Sequence, residues 1–218
     1  MHIQDKQLEG TLLRYGTYIF GFSDVLFDTR KAYESGYIKA FESLDGTYNV
    51  SDYRVYRDSD MHALFDSQFP QCPCKYREFV AEFFKGFNEE IIRSSRPYSD
   101  TLDGIRKLAE LGLRLGIVSG LPEMYIREIL EKHDIGGSFK SVVGFERSPV
   151  RKPDPYQLNL CLQELGSEAS DCVHIGSGPD DALASERAGI GKVLIDREGD
   201  SLLSVADLVM YDLTSLPF

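Results

Sequence analysis

Short apolar segments alternate with amphipathic helical segments over the second half of the chain, and this alternation constrains the fold more than any other feature. Helices are predicted at residues 102–111, 123–133, 156–165 and 181–188, and strands at 113–118, around 142, and at 172–175, 192–195 and 208–210. Strand–helix repeats with short connections build a mostly parallel sheet with helices on both faces. The sequence therefore predicts an α/β, Rossmann-like core.

The segment between the first predicted strand and these repeats has a different periodicity. The first strand is the compact apolar run at residues 18–22, and aromatic-rich helical periodicity follows it to about Ile92. The polar stretch 93–98 contains a proline, which is typical of a linker. We therefore predict a core formed by residues 1–29 and 96–218, with a helical cap inserted at residues 30–95.

Aromatic side chains of the inserted segment are expected to pack its own core. Phe79, Phe83, Phe84 and Phe87 recur on one predicted helix, and Tyr33 and Tyr37 lie on another. The alternative is that these two tyrosines face a cleft. This segment therefore predicts a small apolar core of its own.

Charge and cysteine usage exclude several classes of protein. The chain of 218 residues has 24 Lys+Arg against 35 Asp+Glu, a net charge of −11, which disfavours nucleic acid and anionic lipid surfaces as partners. No run reaches the ~20 apolar residues of a membrane span, and no secretory signal is evident. Four cysteines without paired metal spacing indicate reduced thiols, so we expect a cytoplasmic protein. The oligomeric state and the role of residues 1–16 stay open.

Three polar segments follow predicted strands, where α/β sheets bind ligands. They read Gly-Ile-Val-Ser-Gly at 116–120, Arg-Lys-Pro-Asp-Pro at 151–155 and Ile-Gly-Ser-Gly-Pro-Asp-Asp at 175–181. In order and spacing they resemble the haloacid dehalogenase (HAD) superfamily, especially its phosphoglycolate phosphatase and β-phosphoglucomutase-like branch. The resemblance covers about residues 17–210 and implies a HAD-like core with a helical cap inserted after the first strand.

The same resemblance implies a magnesium-dependent phosphatase, but this chain departs from its pattern. In the family a strand-end aspartate attacks phosphorus, an aspartate two residues later is the general acid, and a later carboxylate helps hold magnesium. The corresponding positions here are Gly21, Ser23 and Ser177, while Asp181 remains from the last motif. No catalytic residue, metal ligand or cofactor is therefore assigned. Loss of a nucleophile can cost on the order of 10⁶ in rate, so we expect a catalytically inactive or impaired binding or regulatory protein.

An anion pocket is the part of the family site that this sequence retains. Ser119 and the Gly120 amide can donate to an oxyanion, and Lys152 supplies a positive charge. We expect the ligand to be a small phosphorylated or otherwise anionic molecule. The simpler alternatives are that Ser119 caps the turn into the next helix and that Lys152 is a solvated surface charge.

Two other functions stay open from the sequence. One is a HAD-like hydrolase with non-standard chemistry on a small phosphorylated or carboxylated substrate, with Asp24, Asp28 or Asp181 as a base. The other is an interaction scaffold, because a fold alone does not specify a function.

Three further motifs have simpler structural interpretations. Gly176-Ser177-Gly178 lacks the last glycine of a dinucleotide-binding turn. Cys72-Pro73-Cys74 has no second pair and is predicted to lie in a loop between cap helices. His174 lies in an apolar strand and is predicted to be a core histidine.

Overall fold

The computed structural model describes residue 12 and residues 14–49, 60–197 and 208–216. The chain divides into two compact units, a sheet unit of residues 1–28 and 97–218 and a helical unit of residues 29–96. Residues 1–11 and 13, most of the N-terminal segment left open above, lie outside the described residues. No helix in the described ranges is long and apolar enough to cross a membrane.

The helical unit is built around two long helices and a shorter one, α1 (Arg30–Glu42), α2 (Met61–Gln68) and α3 (Tyr76–Ser94). Helices α1 and α3 approach each other closely at two glycines. A Cβ atom at Gly86 would overlap the Ser35 carbonyl, and one at Gly36 would lie 2.8 Å from the ring of Phe83. Larger side chains at these two positions would push the helices apart.

Aromatic rings fill the interior of the helical unit. Tyr37 is 3% exposed, and its ring centroid lies 4.7 Å from that of Phe83. Tyr33 is half-buried and packs against Phe83 and Phe87, so Tyr37 lies in this unit's core and Tyr33 at its border. The prediction that Phe84 shares the buried face is wrong, since this side chain is 48% exposed. Phe84 directly follows the buried Phe83, and consecutive helical residues point in different directions.

The sheet unit contains six parallel strands in one sheet within the described residues. Their spatial order is β5 (Ser141–Val143), β4 (Arg114–Val118), β1 (Thr17–Phe20), β6 (Cys172–Gly176), β7 (Gly191–Ile195) and β8 (Leu208–Met210). Two further short strands, β2 (Phe27–Asp28) and β3 (Arg96–Pro97), lie where the chain passes between the units. The helices of this unit are α4 (Thr101–Glu110), α5 (Glu123–Lys132), α6 (Tyr156–Leu165) and α7 (Pro179–Ala188). The predicted α/β fold with a mostly parallel sheet is confirmed.

Successive side chains of the central strands point to opposite faces of the sheet, so each face carries a layer of buried side chains. Ile19 belongs to the cluster with Leu158, Cys161 and Leu165 of α6, whereas Tyr18 and Phe20 point to the other face. A Cβ atom at Gly116 would meet Cys161 Sγ and Leu165, so glycine lets α6 lie close to β4. Pairing of β1 with β4 on one side and with β6 on the other places the ends of these three strands next to one another.

The first strand is shorter than the predicted run at 18–22. Phe20 pairs with Ile117 and Ile175, and the Gly21 amide still donates to the Ile175 carbonyl at 2.9 Å. The chain then turns, because the Phe22 carbonyl accepts the amides of Leu26 and Phe27. Residues 22–27 therefore form a loop at the carboxyl end of β1, which we call the β1 loop.

Candidate functional site

The candidate site begins with the carboxyl ends of three neighbouring strands. Gly21 follows β1, Ser119 follows β4 and Ser177 follows β6. Because Phe20 is in register with both Ile117 and Ile175, the three strands end at the same level. The Ser177 hydroxyl donates to the Ser23 carbonyl at 3.5 Å, which links the β6 end to the β1 loop.

Val25 occupies the space beside Gly21. A Cβ atom built at Gly21 would lie 2.9 Å from Val25 Cγ2, closer than side-chain carbons pack without movement. Val25 is fully buried. A carboxylate side chain at this strand end would therefore require Val25 to move.

The β1 loop is a tight turn with a left-handed residue. Asp24 has φ 58°, and its amide donates to the Phe27 carbonyl at 2.9 Å. Aspartate tolerates this conformation better than most residues. The Tyr98 hydroxyl donates to Asp24 Oδ1 at 3.4 Å, and the residue is 8% exposed. Asp24 thus has a structural role in the loop.

Ser23 contributes an unusual polar atom to the loop. Its hydroxyl is buried and has no hydrogen-bond partner among the residues that the structure describes. A buried hydroxyl without a partner costs free energy, so this position is available to a water or ligand oxygen.

The Ser119 hydroxyl caps the turn after β4. Its oxygen accepts the Leu121 amide at 3.1 Å, and the residue is 5% exposed. This is the capping role that the sequence left as an alternative, and it leaves the hydroxyl proton free of that bond. The adjacent Gly120 is exposed, and a Cβ atom there would meet nothing within 4 Å. The backbone at Gly120 is therefore open to a ligand.

Gln157 joins the β4 end to the segment that carries Lys152. Its Nε2 donates to the carbonyls of Ser119 and Gly144, both at 3.1 Å, and the side chain is 3% exposed. Gln157 lies on the first turn of α6, five residues after Lys152. The amide thus fixes the start of α6 against the loops that follow β4 and β5.

Lys152 and Asp181 form the charged centre of the site. Lys152 Nζ donates to Asp181 Oδ1 at 2.6 Å, and the two side chains are 18% and 12% exposed. Asp181 Oδ2 accepts the amides of Ser177 at 2.9 Å and Gly178 at 3.2 Å. The structure therefore joins two of the predicted segments through this ion pair, and Lys152 is not a freely solvated charge.

The surroundings of Asp181 favour its ionised form. Burial opposes ionisation, but the Lys152 ammonium, the nearby His174 and the Ser177 amide outweigh it and lower the pKa of Asp181 below the ordinary carboxyl range. Asp181 is also the third residue of α7, where a carboxylate that accepts the Gly178 amide caps the helix. Glycine at 178 therefore begins a helix, and the Gly-Ser-Gly turn needs no dinucleotide to explain it.

These strand ends and motifs match one known family. The family model of haloacid dehalogenase-like hydrolases matches residues 18–195. The chain belongs to this family.

Relatives of the HAD family confirm the resemblance to the phosphoglycolate phosphatase branch. A phosphoglycolate phosphatase of Colwellia psychrerythraea is 32% identical over 131 residues, covering 60% of this chain and 57% of the relative. One of Vibrio parahaemolyticus is 29% identical over 115 residues, covering 53% and 49%. The chain thus spans about half the length of the curated relatives it matches.

Solved HAD structures share the fold of this chain. A haloacid dehalogenase-like family hydrolase of Streptococcus pneumoniae superposes with a TM-score of 0.79 at 17% identity, covering 93% of this chain and 96% of the other. A HAD-superfamily hydrolase of Geobacter sulfurreducens, subfamily IA, gives a TM-score of 0.72 at 19% identity, covering 92% and 93%. At this identity the likeness establishes the fold and no more.

His174 is a neutral core residue next to Asp181. We call the site at the carboxyl ends of the strands, around Lys152 and Asp181, the HAD site. The Ser185 hydroxyl donates to the Asp181 carbonyl at 2.7 Å, so it accepts the proton of His174 Nδ1 at 2.8 Å. Burial lowers the pKa of His174 from 6.5 to about 4, although the Asp181 carboxylate acts in the opposite direction. His174 Nε2 lies 4.0 Å from Asp181 Oδ1. The expected core histidine is therefore part of the network that holds Asp181.

Arg197 is a residue of the site that the sequence did not point to. Its Nε and Nη2 donate to the Val25 carbonyl at 3.2 and 2.6 Å, and its Nη1 pairs with Asp100 Oδ2 at 2.6 Å. The guanidinium carbon lies 4.3 Å from the ring centroid of Tyr98. Arg197, Asp100 and Tyr98, which we call the β1-loop clamp, hold the residue that fills the space beside Gly21.

The remaining sequence motifs lie outside this site. Cys72 and Cys74 are exposed and free, on either side of Pro73 in the connection between α2 and α3. Asp28 lies in β2, two residues before α1, so it is not part of the first helical turn. The described residues contain no cluster of three or more acidic, histidine or cysteine side chains suited to a metal ion.

Proposed function

We propose that this HAD-family protein binds a small oxyanion at the carboxyl end of its sheet without forming an aspartyl-phosphate. The observation that carries the proposal is the contact at Gly21. This position has no nucleophilic atom, and Val25 fills the space that a nucleophilic side chain would need. Binding without hydrolysis is the function that this arrangement supports best.

Donors at the strand ends support anion binding. The Lys152 ammonium provides a partly buried charge, and the exposed Gly120 backbone and the Ser119 hydroxyl proton provide neutral donors. Asp181 competes with a ligand for the same ammonium at 2.6 Å. We therefore expect moderate affinity, which removal of the Asp181 charge increases.

The donor set does not fit magnesium, which prefers carboxylate and water oxygens in octahedral geometry. Gly21 has no side chain, and Ser23 and Ser177 offer only hydroxyls. Asp181 directs one oxygen to Lys152 and the other to two backbone amides. The proposed binding is therefore independent of the metal.

Phosphoglycolate is the first ligand to test, because relatives matched over about half their length are named phosphoglycolate phosphatases. Titration calorimetry with phosphoglycolate and with inorganic phosphate, with and without magnesium, measures affinity. We expect binding that magnesium does not change, that Lys152→Ala weakens and that Asp181→Asn strengthens. Lys140→Ala, which removes an exposed charge of the same unit, is the matched control and leaves the affinity unchanged.

A phosphate-release assay on the same preparations tests the second half of the proposal. Turnover above the background of the Lys152→Ala protein contradicts the absence of catalysis and favours the non-standard hydrolase. Asp24→Asn then tests whether the loop carboxylate acts as its base. No binding of either anion overturns the pocket and leaves the scaffold function.

A further inference from the structure

A cavity lies at the end of the sheet opposite to the HAD site. It is open to solvent, has a volume of about 380 Å³ and is lined by Arg14, Tyr15, Ala169, Ser170, Gly189, Ile190 and Gly191. Six of these residues lie just before three neighbouring strands, β1, β6 and β7, and Gly191 is the first residue of β7. The cavity is therefore formed by the amino ends of the strands, and it shares no residue with the site described above.

The walls of this cavity combine a cation with an aromatic ring. The Arg14 guanidinium carbon lies 4.7 Å from the ring centroid of Tyr15, and Nη2 donates to the Tyr15 hydroxyl at 2.5 Å. Tyr15 is 7% exposed, and it accounts for the glycine at 191, because a Cβ atom there would overlap the phenol oxygen. Packing of the ring thus fixes one side of the cavity.

Several donors at this cavity have no acceptor within the part of the chain that the structure describes. Arg14 forms no ion pair with any described residue, although the chain has an excess of acidic side chains. The Tyr15 hydroxyl accepts a bond from Arg14, and its own proton has no acceptor among the described residues. Ser170 likewise has no hydrogen-bond partner there.

The acidic residue nearest in sequence does not neutralise this set. Asp171 accepts the Gly16 amide at 2.8 Å and pairs with Arg114 at 3.0 Å. Its carboxylate is therefore engaged elsewhere, and no acidic side chain in the described ranges forms an ion pair with Arg14. A guanidinium with free N–H groups matches the two oxygens of a carboxylate or phosphate.

We propose that this cavity binds a small molecule through a carboxylate or phosphate group, with Arg14 as the ionic partner and the Ser170 and Tyr15 hydroxyls as further donors. Gly189 and Ala169 leave room for the rest of the ligand. A Cβ atom at Gly189 would meet nothing within 4 Å. The proposal does not rest on the function proposed for the HAD site.

Amide NMR of the full chain tests this site directly. Inorganic phosphate and malonate are titrated separately at constant ionic strength, with chloride as the non-specific anion. We expect saturable shifts of the Ser170, Gly189 and Gly191 amides with a Kd of about a millimolar for one of the two anions. The preferred anion distinguishes a phosphate ligand from a carboxylate ligand.

Four variants make the outcome decisive. Arg14→Gln weakens binding by about tenfold, and Ser170→Ala, which removes one neutral donor, weakens it less. Arg106→Gln removes an equivalent exposed charge from α4, and Lys152→Ala disables the HAD site, so neither changes these shifts. Absent or non-saturable shifts, or equal shifts with Arg14→Gln, overturn the proposal.

Discussion

Lys152 Nζ lies 2.6 Å from Asp181 Oδ1, although the two residues are 29 positions apart in sequence. This bond links the segment before α6 to the first turn of α7, at the end of β6. The Lys152 ammonium therefore lies beside the end of β6, in contact with a carboxylate of the chain itself. The pair is mostly shielded from water, so removal of either partner leaves a poorly solvated charge and destabilises the fold.

Lys152→Met is expected to destabilise the fold by about 3 kcal/mol, because it leaves Asp181 buried without its partner. The lowered pKa of Asp181 contributes stability at pH values above the ordinary carboxyl pKa, and this stability is lost as the pH falls below it. Removal of the ammonium reduces that contribution. Urea unfolding at pH 7 and at about pH 2.5, on either side of the ordinary carboxyl pKa, measures both effects. The double variant Lys152→Met/Asp181→Leu regains stability, and equal losses in the single and double variants contradict a coupled pair.

His174→Leu is expected to remove part of the acid sensitivity of the protein. The pKa of His174 is about 4 in the folded chain against 6.5 when exposed, so the unfolded state takes up a proton first as the pH falls. The wild-type protein therefore loses about 3 kcal/mol between pH 6.5 and pH 4 through this group. Urea unfolding across this range should show a smaller loss for His174→Leu, and parallel curves for the two proteins exclude the effect.

Gly21→Asp is expected to destabilise the fold by about 1–3 kcal/mol, because the new side chain collides with Val25. Val25→Ala in the same chain relieves the collision, so the double variant is more stable than additivity predicts. Thermal unfolding of the two single variants and the double variant measures this coupling. Restored phosphatase activity is expected only when Ser23→Asp and Ser177→Asp accompany both changes, and activity of Gly21→Asp/Ser23→Asp/Ser177→Asp with Val25 intact argues against the steric block.

Asp100→Asn and Arg197→Met are expected to cost about 3 kcal/mol each and to be strongly non-additive. Their side chains form an ion pair that is 6% and 7% exposed, and either variant leaves a buried charge without its partner. Hydrogen exchange reports the local effect, because the Tyr98 amide donates to the Leu26 carbonyl of the β1 loop at 3.1 Å. Faster exchange of this amide in both variants is expected, while unchanged exchange shows that the clamp does not hold the loop.

Gly86→Ala is expected to destabilise the helical unit by about 1–3 kcal/mol, since the added methyl group overlaps the Ser35 carbonyl. Gly137→Ala is the matched control in the sheet unit, where a Cβ atom would meet nothing within 4 Å. The control is neutral or slightly stabilising, because alanine restricts the unfolded chain. Circular dichroism during thermal unfolding compares them, and similar losses for both variants contradict close helix packing at Gly86.

The sequence predicted the fold well because the spacing of apolar residues indicates which face of a helix or strand is buried. The helix predicted at 156–165 and the strand at 208–210 have the observed bounds, and the order of strands and helices is confirmed. The end of β1 was wrong because Phe22 is as buried in a turn as it would be in a strand. Apolar residues in a tight turn carry no signal that separates the two.

The candidate site was less predictable from sequence. Lys152 and Asp181 lie in recognisable segments, but their mutual contact depends on how the sheet orders its strands. Arg197 and Gln157 belong to no motif, and their acceptors are backbone carbonyls far away in the sequence. For Gln157 the only available signal is its position on the apolar side of a helix, next to Leu158 and Cys161.

The central place of β1 has a consequence for how the protein emerges during synthesis. This strand is synthesised before its two neighbours, which begin at Arg114 and Cys172. Its backbone N–H and C=O groups therefore lack their sheet partners while most of the chain is translated. The helical unit needs only residues 29–96 for its own contacts, and it can collapse around its aromatic rings in the meantime. Synthesis from the amino end thus allows the inserted segment to fold before the sheet that surrounds it in sequence.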